Sequence, residues 1–216
     1  MADDDECLCA GCYARLPLIS SPCCPKCSRP IRTRDGTDQL CGMCRLHPRP
    51  AVSRVFAAAE YRDSAKLLIH RYKYSRHQFL AGFLANHIMD RFPAAIHLAS
   101  YDWLVPIPLH WTRQRWRGFN QSRELARCIS RRSGIPVLPA GDFKRVRKTT
   151  PQVQLSAASR ASNIKGAFHV KHDNYIRGMR LALVDDVLTT GSTAKECART
   201  LRRAGAVDVG LIVMAR

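Results

Sequence analysis

Apolar positions in this chain follow two rhythms, short continuous runs and helical stripes, and their succession outlines an α/β fold. Leu181 to Val184 is an unbroken apolar run bounded by polar residues, the pattern of a parallel strand buried on both faces. After a polar turn, Ala194, Cys197, Ala198, Leu201 and Ala204 recur at helical spacing, and Gly205 stands where that helix would stop. Val207 to Met214 then reads as the next strand, so the unit is strand, loop, helix, strand. Upstream, Val52 to Tyr61 is strand-like and Lys66 to Tyr74 is helical. Trp103 to Pro108 reads as a strand ended by two prolines, which cannot donate to a ladder. Leu125, Ala126 and Ile129 face inward on a helix whose outer side carries Arg123, Arg127, Arg131 and Arg132. The stretch from Lys144 to Phe168 begins with little apolar periodicity and predicts a mobile loop able to close over a bound phosphate, although composition alone fits a surface loop equally well.

Ahead of these elements the pattern gives way to cysteine. Eight of the ten cysteines precede residue 45, as Cys7, Cys9-x-x-Cys12, Cys23, Cys24-x-x-Cys27 and Cys41-x-x-Cys44. A Cys-x-x-Cys turn presents two thiolates to one tetrahedral zinc, and thirteen residues between Cys27 and Cys41 suit a zinc ribbon. Disulfides compete for this spacing but do not persist in a reducing compartment. Cys24, Cys27, Cys41 and Cys44 are the favoured ligands. Cys9 and Cys12 either join a second site with Cys7 or Cys23 or remain reduced thiols. A head this short has too little apolar surface to fold alone, so metal would supply much of its folding energy, and four thiolates leave no open catalytic position. Pro48 and Pro50 mark a hinge, dividing the chain into a head of residues 1–47 and a larger domain of residues 48–216. Cys128 and Cys197 lie in helical patterns and read as core or surface residues rather than nucleophiles.

Length and charge narrow the class. A chain of 216 residues suits one well-buried domain and a small appendage, and no apolar run approaches the ~18 residues of a membrane helix. The acidic start, Met1 to Glu6, is unlike a signal peptide, so a cytoplasmic protein without membrane insertion is expected. Residues 51–216 carry 28 Lys or Arg against 11 Asp or Glu, so 17 of the 18 net positive charges lie there. From Arg113 to Lys148 eleven basic residues face only Glu124 and Asp142. Such a patch suits polyphosphate or nucleic acid, or is simply a solvated face. Arg113, Arg115 and Arg117 can clamp a pyrophosphate with their forked guanidinium groups. Interleaved Trp111, Trp116 and Phe119 can stack on unpaired bases or pack in a core, the latter favoured for Phe119.

Candidate chemistry concentrates where the first strand–loop–helix unit turns. Asp185 and Asp186 stand at the carboxyl edge of the predicted sheet, where ligands of open α/β sheets sit. Backbone N–H groups of Thr189, Thr190, Gly191 and Ser192 would start a helix whose unpaired donors and positive dipole end attract phosphate. Gly191 lets the backbone close around an anion, while the carboxylates accept hydrogen bonds from sugar hydroxyls. A phosphorylated ribose satisfies both halves. The stretch from Leu181 to Thr193 resembles the signature of type I phosphoribosyltransferases, which bind 5-phosphoribosyl 1-pyrophosphate (PRPP).

Over essentially its full length the chain also resembles the ComF family, which includes the GntX proteins. The matching residues are the three Cys-x-x-Cys pairs, Lys73-Tyr74, Val105-Pro-Ile-Pro108, Arg117-Gly-Phe-Asn-Gln121, Thr150-Pro-Gln152, Arg160, Asn163, Gly166-Ala-Phe168 and the Asp-Asp loop. Many members carry a further Cys-x-x-Cys pair upstream; its absence here favours the Cys24 to Cys44 site. The resemblance implies a phosphoribosyltransferase-type, mostly parallel sheet flanked by helices, with a small zinc ribbon in front, and an association with DNA uptake in competence or with DNA as a nutrient. Similarity to the amidotransferase branch makes Val105 to Pro108 the lead into a pyrophosphate loop and Lys144 to Arg160 the flexible loop. PRPP would then be held by Asp185, Asp186, Val187, Leu188, Thr189, Thr190, Gly191, Ser192 and Thr193, with magnesium bridging pyrophosphate and ribose oxygens. Arg117 or Arg145 would stabilise the departing pyrophosphate. Lys73, Arg113, Arg115, Trp116, Gln152 and Arg160 would contact pyrophosphate or DNA. No residue stands out as a nucleophile or general base, and no segment announces an acceptor. The competing expectation is a single-stranded DNA-binding uptake factor whose PRPP loop is regulatory or vestigial. In a third, the zinc ribbon docks a helicase or another uptake protein.

Overall fold

The computed structural model describes residues 9–47, 50–74, 79–91, 98–147 and 162–216. Two short helices, α1 (Ala10–Ala14) and α2 (Gly42–Leu46), lie in the cysteine-rich head. They are followed by β1 (Val55–Ala59), α3 (Asp63–Tyr74), α4 (Leu80–Arg91), β2 (Trp103–Pro106), α5 (Trp111–Arg117) and α6 (Gln121–Ser133). The chain continues through β3 (Phe143–Arg145), β4 (Phe168–Val170), β5 (Arg180–Val187), α7 (Ser192–Arg203) and β6 (Asp208–Ala215). No helix among the described residues is long and apolar enough to cross a membrane.

One parallel sheet organises these elements in the order β1-β6-β5-β2. Side chains alternate across it, as a two-residue period requires. Leu181 and Leu183 of β5, with Val105, Leu211 and Val213, pack against Ala194, Cys197, Ala198 and Leu201 of α7. Ala182 and Val184, with Leu104, Ile212 and Met214, pack on the opposite side against α3, α4 and α6. The result is three layers, with β5 and β6 buried on both faces. The β3–β4 hairpin forms a separate antiparallel pair beside α7, its Phe143 and Phe168 joining that side of the core.

An open parallel sheet leaves unpaired backbone groups along its outer strands, and here irregular chain covers both. Beyond β2, the Leu104 N–H donates to the Pro136 carbonyl and the Leu138 N–H donates to the Leu104 carbonyl, each at 2.9 Å. Beyond β1, the cysteine-rich head does the same work. The Ile19 N–H donates to the Ala58 carbonyl and the Val55 N–H to the Lys26 carbonyl, each at 2.9 Å. The Ser28 hydroxyl donates to the Val55 carbonyl at 2.9 Å and accepts from the Ala57 N–H at 3.3 Å. Leu16 enters the core and Leu18 bridges to Ala59. Around its cysteines the head has an isolated Cys23–Pro30 bridge and short helices, with no extended strand among the described residues.

The periodicity reading passed over two parts. Helix α4 buries Leu80, Ala81, Phe83, Leu84, Ala85 and Ile88, an arc wider than a single stripe. Both ends of the stretch expected as a loop from Lys144 to Phe168 are hairpin strands, too short to display a period. Pro48 of the expected hinge lies outside the described residues.

Ser28→Ala tests how the head is fastened. It orphans the buried Ala57 N–H, so it should destabilise by roughly 1–2 kcal/mol, or about 2–8 °C in Tm for a chain of this size. An unchanged melting temperature in calorimetry would mean the head is not held there.

Candidate functional site

Strand β5 runs past its apolar residues and delivers two carboxylates to the carboxyl end of the sheet. Asp186 is 1% exposed, and its Oδ1 lies 3.2 Å from Nζ of Lys73, near the end of α3. Its Oδ2 is buried and has no hydrogen-bond partner among the described residues. Asp185 Oδ1 accepts from the Ser122 hydroxyl at 2.8 Å and from the Asp186 N–H at 3.0 Å. A second bond sets these partners in place: the buried Tyr72 hydroxyl donates to the Gln121 carbonyl at 2.6 Å. It pins α3 to the start of α6, so Lys73 and Ser122 arrive together at the two carboxylates. Burial, and then the neighbouring Asp186 charge, push the Asp185 carboxyl up to about 7, while Lys73 and Ser122 act in the opposite sense. Burial works against the Lys73 ammonium, but Asp186 and Asp185 outweigh it and raise its pKa.

The loop that follows is anchored by the Leu188 N–H, which donates to the Ala215 carbonyl at 2.8 Å. Gly191 caps α7 at φ +74°, and no side chain caps that helix start. A Cβ on Gly191 would stand 3.2 Å from Leu188 Cδ1, in a backbone region that already disfavours side chains. Thr190 and Ser192 share a hydroxyl contact of 3.1 Å.

A cleft of about 710 Å³ opens over this junction. Asp185, Asp186, Val187, Leu188, Thr189, Gly191 and Thr193 line it, as do Lys73, Arg113, Trp116, Arg117 and Arg145. Thr190 and Ser192 occupy the same turn without lining the cleft. Arg117, 9% exposed, lies over the Tyr74 ring at 5.2 Å, and its Nε has no partner among the described residues. Arg145, from β3, lies over the Phe168 ring at 5.7 Å, and burial and nearby Arg113 lower its pKa. Trp116 is 70% exposed at the rim, 6.1 Å from Tyr74 and edge-on to it. Arg115 sits apart from this group, lining a separate shallow depression with Trp111, Gln114 and Gly118. Trp111 is exposed and Phe119 is buried. Gln152 and Arg160 lie outside the described residues. Sequence reasoning gave no role to Ser122, to Tyr72, or to Gln121, whose Oε1 is buried beside the cleft without a partner among the described residues.

In the head, the sulfurs of Cys24, Cys27, Cys41 and Cys44 all lie within 4.8 Å of one another, and Cys27 and Cys41 are 3.7 Å apart. Four sulfurs at ~2.3 Å from a tetrahedral zinc stand about 3.8 Å from each other, so the cluster fits a metal ion of the zinc type. Burial raises the Cys24 thiol, but backbone N–H groups of Cys41, Lys26 and Cys27 outweigh it and bring it to about 7. Cys9 and Cys12 influence each other's protonation at the start of α1, and no third ligand joins them among the described residues. Cys7 lies outside those residues. Cys197 is fully buried and Cys128 partly so.

Known proteins are similar to this chain over most of their length. DNA utilization protein YhgH of Salmonella typhimurium is 33% identical over 223 aligned residues, spanning 97% of this chain and 96% of that protein. Competence protein F of Haemophilus influenzae is 33% identical over 213 residues, spanning 97% and 90%. The chain belongs to the ComF family. Another protein of this ComF group, competence protein ComFC of Bacillus subtilis, is 28% identical over 206 residues, spanning 93% of this chain and 80% of that one. No family model matches the chain. Among solved structures, the glutamine PRPP amidotransferase of B. subtilis complexed with ADP and GMP is similar with a TM-score of 0.45 and 19% identity, over 66% of this chain and 30% of that one. A structure of the allosteric regulatory enzyme of purine biosynthesis gives 0.43 and 18%, over 66% and 29%.

Asp185 supplies a signed prediction for this ComF protein. Its folded pKa of about 7 exceeds the ~3.9 of an unfolded aspartate, so the native state retains a proton that the unfolded chain releases between those values. Stability from this group is complete at acid pH and is lost as pH rises through about 7. Asp185→Asn keeps an accepting oxygen for Ser122 and Asp186 while removing the charge. It should melt above the parent at about pH 8.5, by on the order of 4 kcal/mol or roughly 8–16 °C, and the gap should narrow as pH falls and close only at about pH 3.5, below the unfolded value. The same gap at both pH values would show an ordinary carboxylate.

Proposed function

We propose that this ComF family protein binds PRPP with magnesium in the cleft and works in DNA uptake or in the use of DNA as a nutrient. The observation that carries the reading is the β5–α7 junction, where two carboxylates and an uncapped helix start face one cavity. Helix N–H groups from Gly191 onward would hold the 5-phosphate, with the positive end of α7 adding to the attraction. Asp185 and Asp186 would accept from the ribose hydroxyls. Arg113, Arg117 and Arg145 would pair with pyrophosphate oxygens, and Lys73 would balance the carboxylates at the same point. Bound magnesium would neutralise charge on the pyrophosphate. Phosphoribosyl transfer at such a site would rest on holding the ligand and stabilising the departing pyrophosphate, the part assigned to Arg117 and Arg145. The cellular setting follows from the relatives, named for DNA utilization and competence.

Titration calorimetry with PRPP and magnesium tests this reading. Wild type should give saturable heat, and the Asp185→Ala, Asp186→Ala double variant should bind at least about 100-fold more weakly, the equivalent of two hydrogen bonds to charged groups. No binding by wild type would remove the phosphoribosyl site and leave the loop as scaffold.

A second reading has its own observation: the outer side of α5 presents Trp111 with Arg115, and Trp116 at the rim is also exposed. Exposed aromatics beside guanidinium groups suit the bases and backbone of single-stranded DNA, and the larger domain's charge would draw that strand in. The head, with zinc in its cysteine cluster, would then brace β1 and turn its outer surface to a helicase or another uptake factor. Affinity for a short oligothymidylate should fall steeply with salt. It should drop at least about fivefold in Trp111→Ala, Arg115→Ala and survive Asp185→Ala. An oligonucleotide indifferent to the α5 changes would bind elsewhere.

A further inference from the structure

The proposed ligand would touch two separate pieces of the fold. Its phosphate end lies on α7, which belongs to the main sheet's crossover, whereas Arg145 at the opposite end comes from the β3–β4 hairpin, a sheet of its own. Apolar packing of Phe143 and Phe168 against α7 joins the two. Such packing is non-directional, so by itself it does not fix where Arg145 stands.

Among the described residues, a polar link crosses this interface with a defined direction. Glu196, one turn into α7, is 4% exposed, and its Oε1 accepts the backbone N–H of Gly166 at 2.8 Å. Among the described residues its ion-pair partner is Arg199, which stands 3.7 Å from Oε2 and is 58% exposed, too solvated to stabilise a buried charge by much. A carboxylate buried on so little is unfavourable where an apolar side chain would pack freely. What the carboxylate adds is a charge-assisted hydrogen bond to a turn. Gly166 holds that turn at φ +68°, and the turn leads directly into β4. The Val146 N–H donates to the Ala167 carbonyl at 2.9 Å, and the Arg147 guanidinium donates to the carbonyls of Asn163 at 2.9 Å and Lys165 at 2.6 Å. Arg145 pairs in register with Phe168. A polar route from α7 to Arg145 thus runs through Glu196 and these bonds, beside the apolar packing.

We infer that Glu196 is a positioning residue, setting the distance and angle of Arg145 relative to the phosphate loop; the inference rests on the PRPP reading of the cleft. Two probes separate the ends of the site on the full chain, ribose 5-phosphate for the loop and inorganic pyrophosphate with magnesium for the arginine end. Glu196→Ala and Glu196→Asp, the latter charged but one methylene short, should bind ribose 5-phosphate within about twofold of wild type and pyrophosphate about tenfold more weakly, the loss expected of one charge-assisted hydrogen bond. Glu196→Gln keeps the accepting oxygen and should restore both. Equal weakening of both probes, or of neither, overturns the assignment.

A ligand-free measurement accompanies these. Amide hydrogen exchange at Gly166 and Val146 should rise at least about tenfold in the Ala and Asp variants, with α7 unchanged and the Gln variant at wild-type rates. Without that rise the coupling is wrong whatever binds. A rise in a protein that binds neither probe sustains the coupling and removes the phosphoribosyl reading instead.

Discussion

Two neighbouring carboxylates end a strand buried on both faces, and most of the architecture around them answers the resulting electrostatic problem. Inside a low-dielectric interior, like charges on adjacent residues are tolerable only with a cation or a proton close by. Lys73 supplies the cation and Ser122 a hydrogen-bond donor, and neither is near β5 in sequence. Tyr72 and Gln121, their immediate neighbours, bond to each other, so one interhelical contact places both compensating groups. The packing of α3 against α6 is therefore also the charge balance of the cleft. The balance is incomplete at Asp186 Oδ2, a buried acceptor with no hydrogen-bond partner among the described residues.

How much of this was legible in the sequence depended on the range of each interaction. The β5–α7–β6 unit was readable because its apolar run, its helical period and its glycine lie within one short stretch. The four-cysteine cluster was readable for the same reason, since pair spacing is local. Ser122 carries no mark of its destination, and Lys73 was singled out only through family resemblance, because an ion pair between α3 and β5 leaves no periodic trace. Arg115 illustrates a different gap. Arg113 and Arg117 are four apart and share a helical face, whereas Arg115 falls on the other side. Treating that stretch as a linear run of charge, rather than as the helix α5, grouped three arginines that the fold separates.

Helix α5 consequently has two surfaces with different chemistry. Its inner side lends guanidinium groups to the cleft, while its outer side combines an exposed indole with a solvated arginine. A bound small polyanion and an extended polymer, as proposed above, would therefore meet opposite sides of two helical turns.

The strand order carries a consequence for assembly. β1 pairs with β6, the last strand in the sequence, and with no other strand of the sheet. A chain emerging from the ribosome therefore makes β1 long before its ladder partner exists, and the contact order of the sheet is high. Through that interval the strand's earliest companion is the segment synthesised just ahead of it, residues 16–28, whose carbonyls, amides and Ser28 hydroxyl lie along its outer edge. The cysteine head thus covers the one edge of β1 whose partners lie just ahead of it in the sequence, while the other edge depends on the last strand.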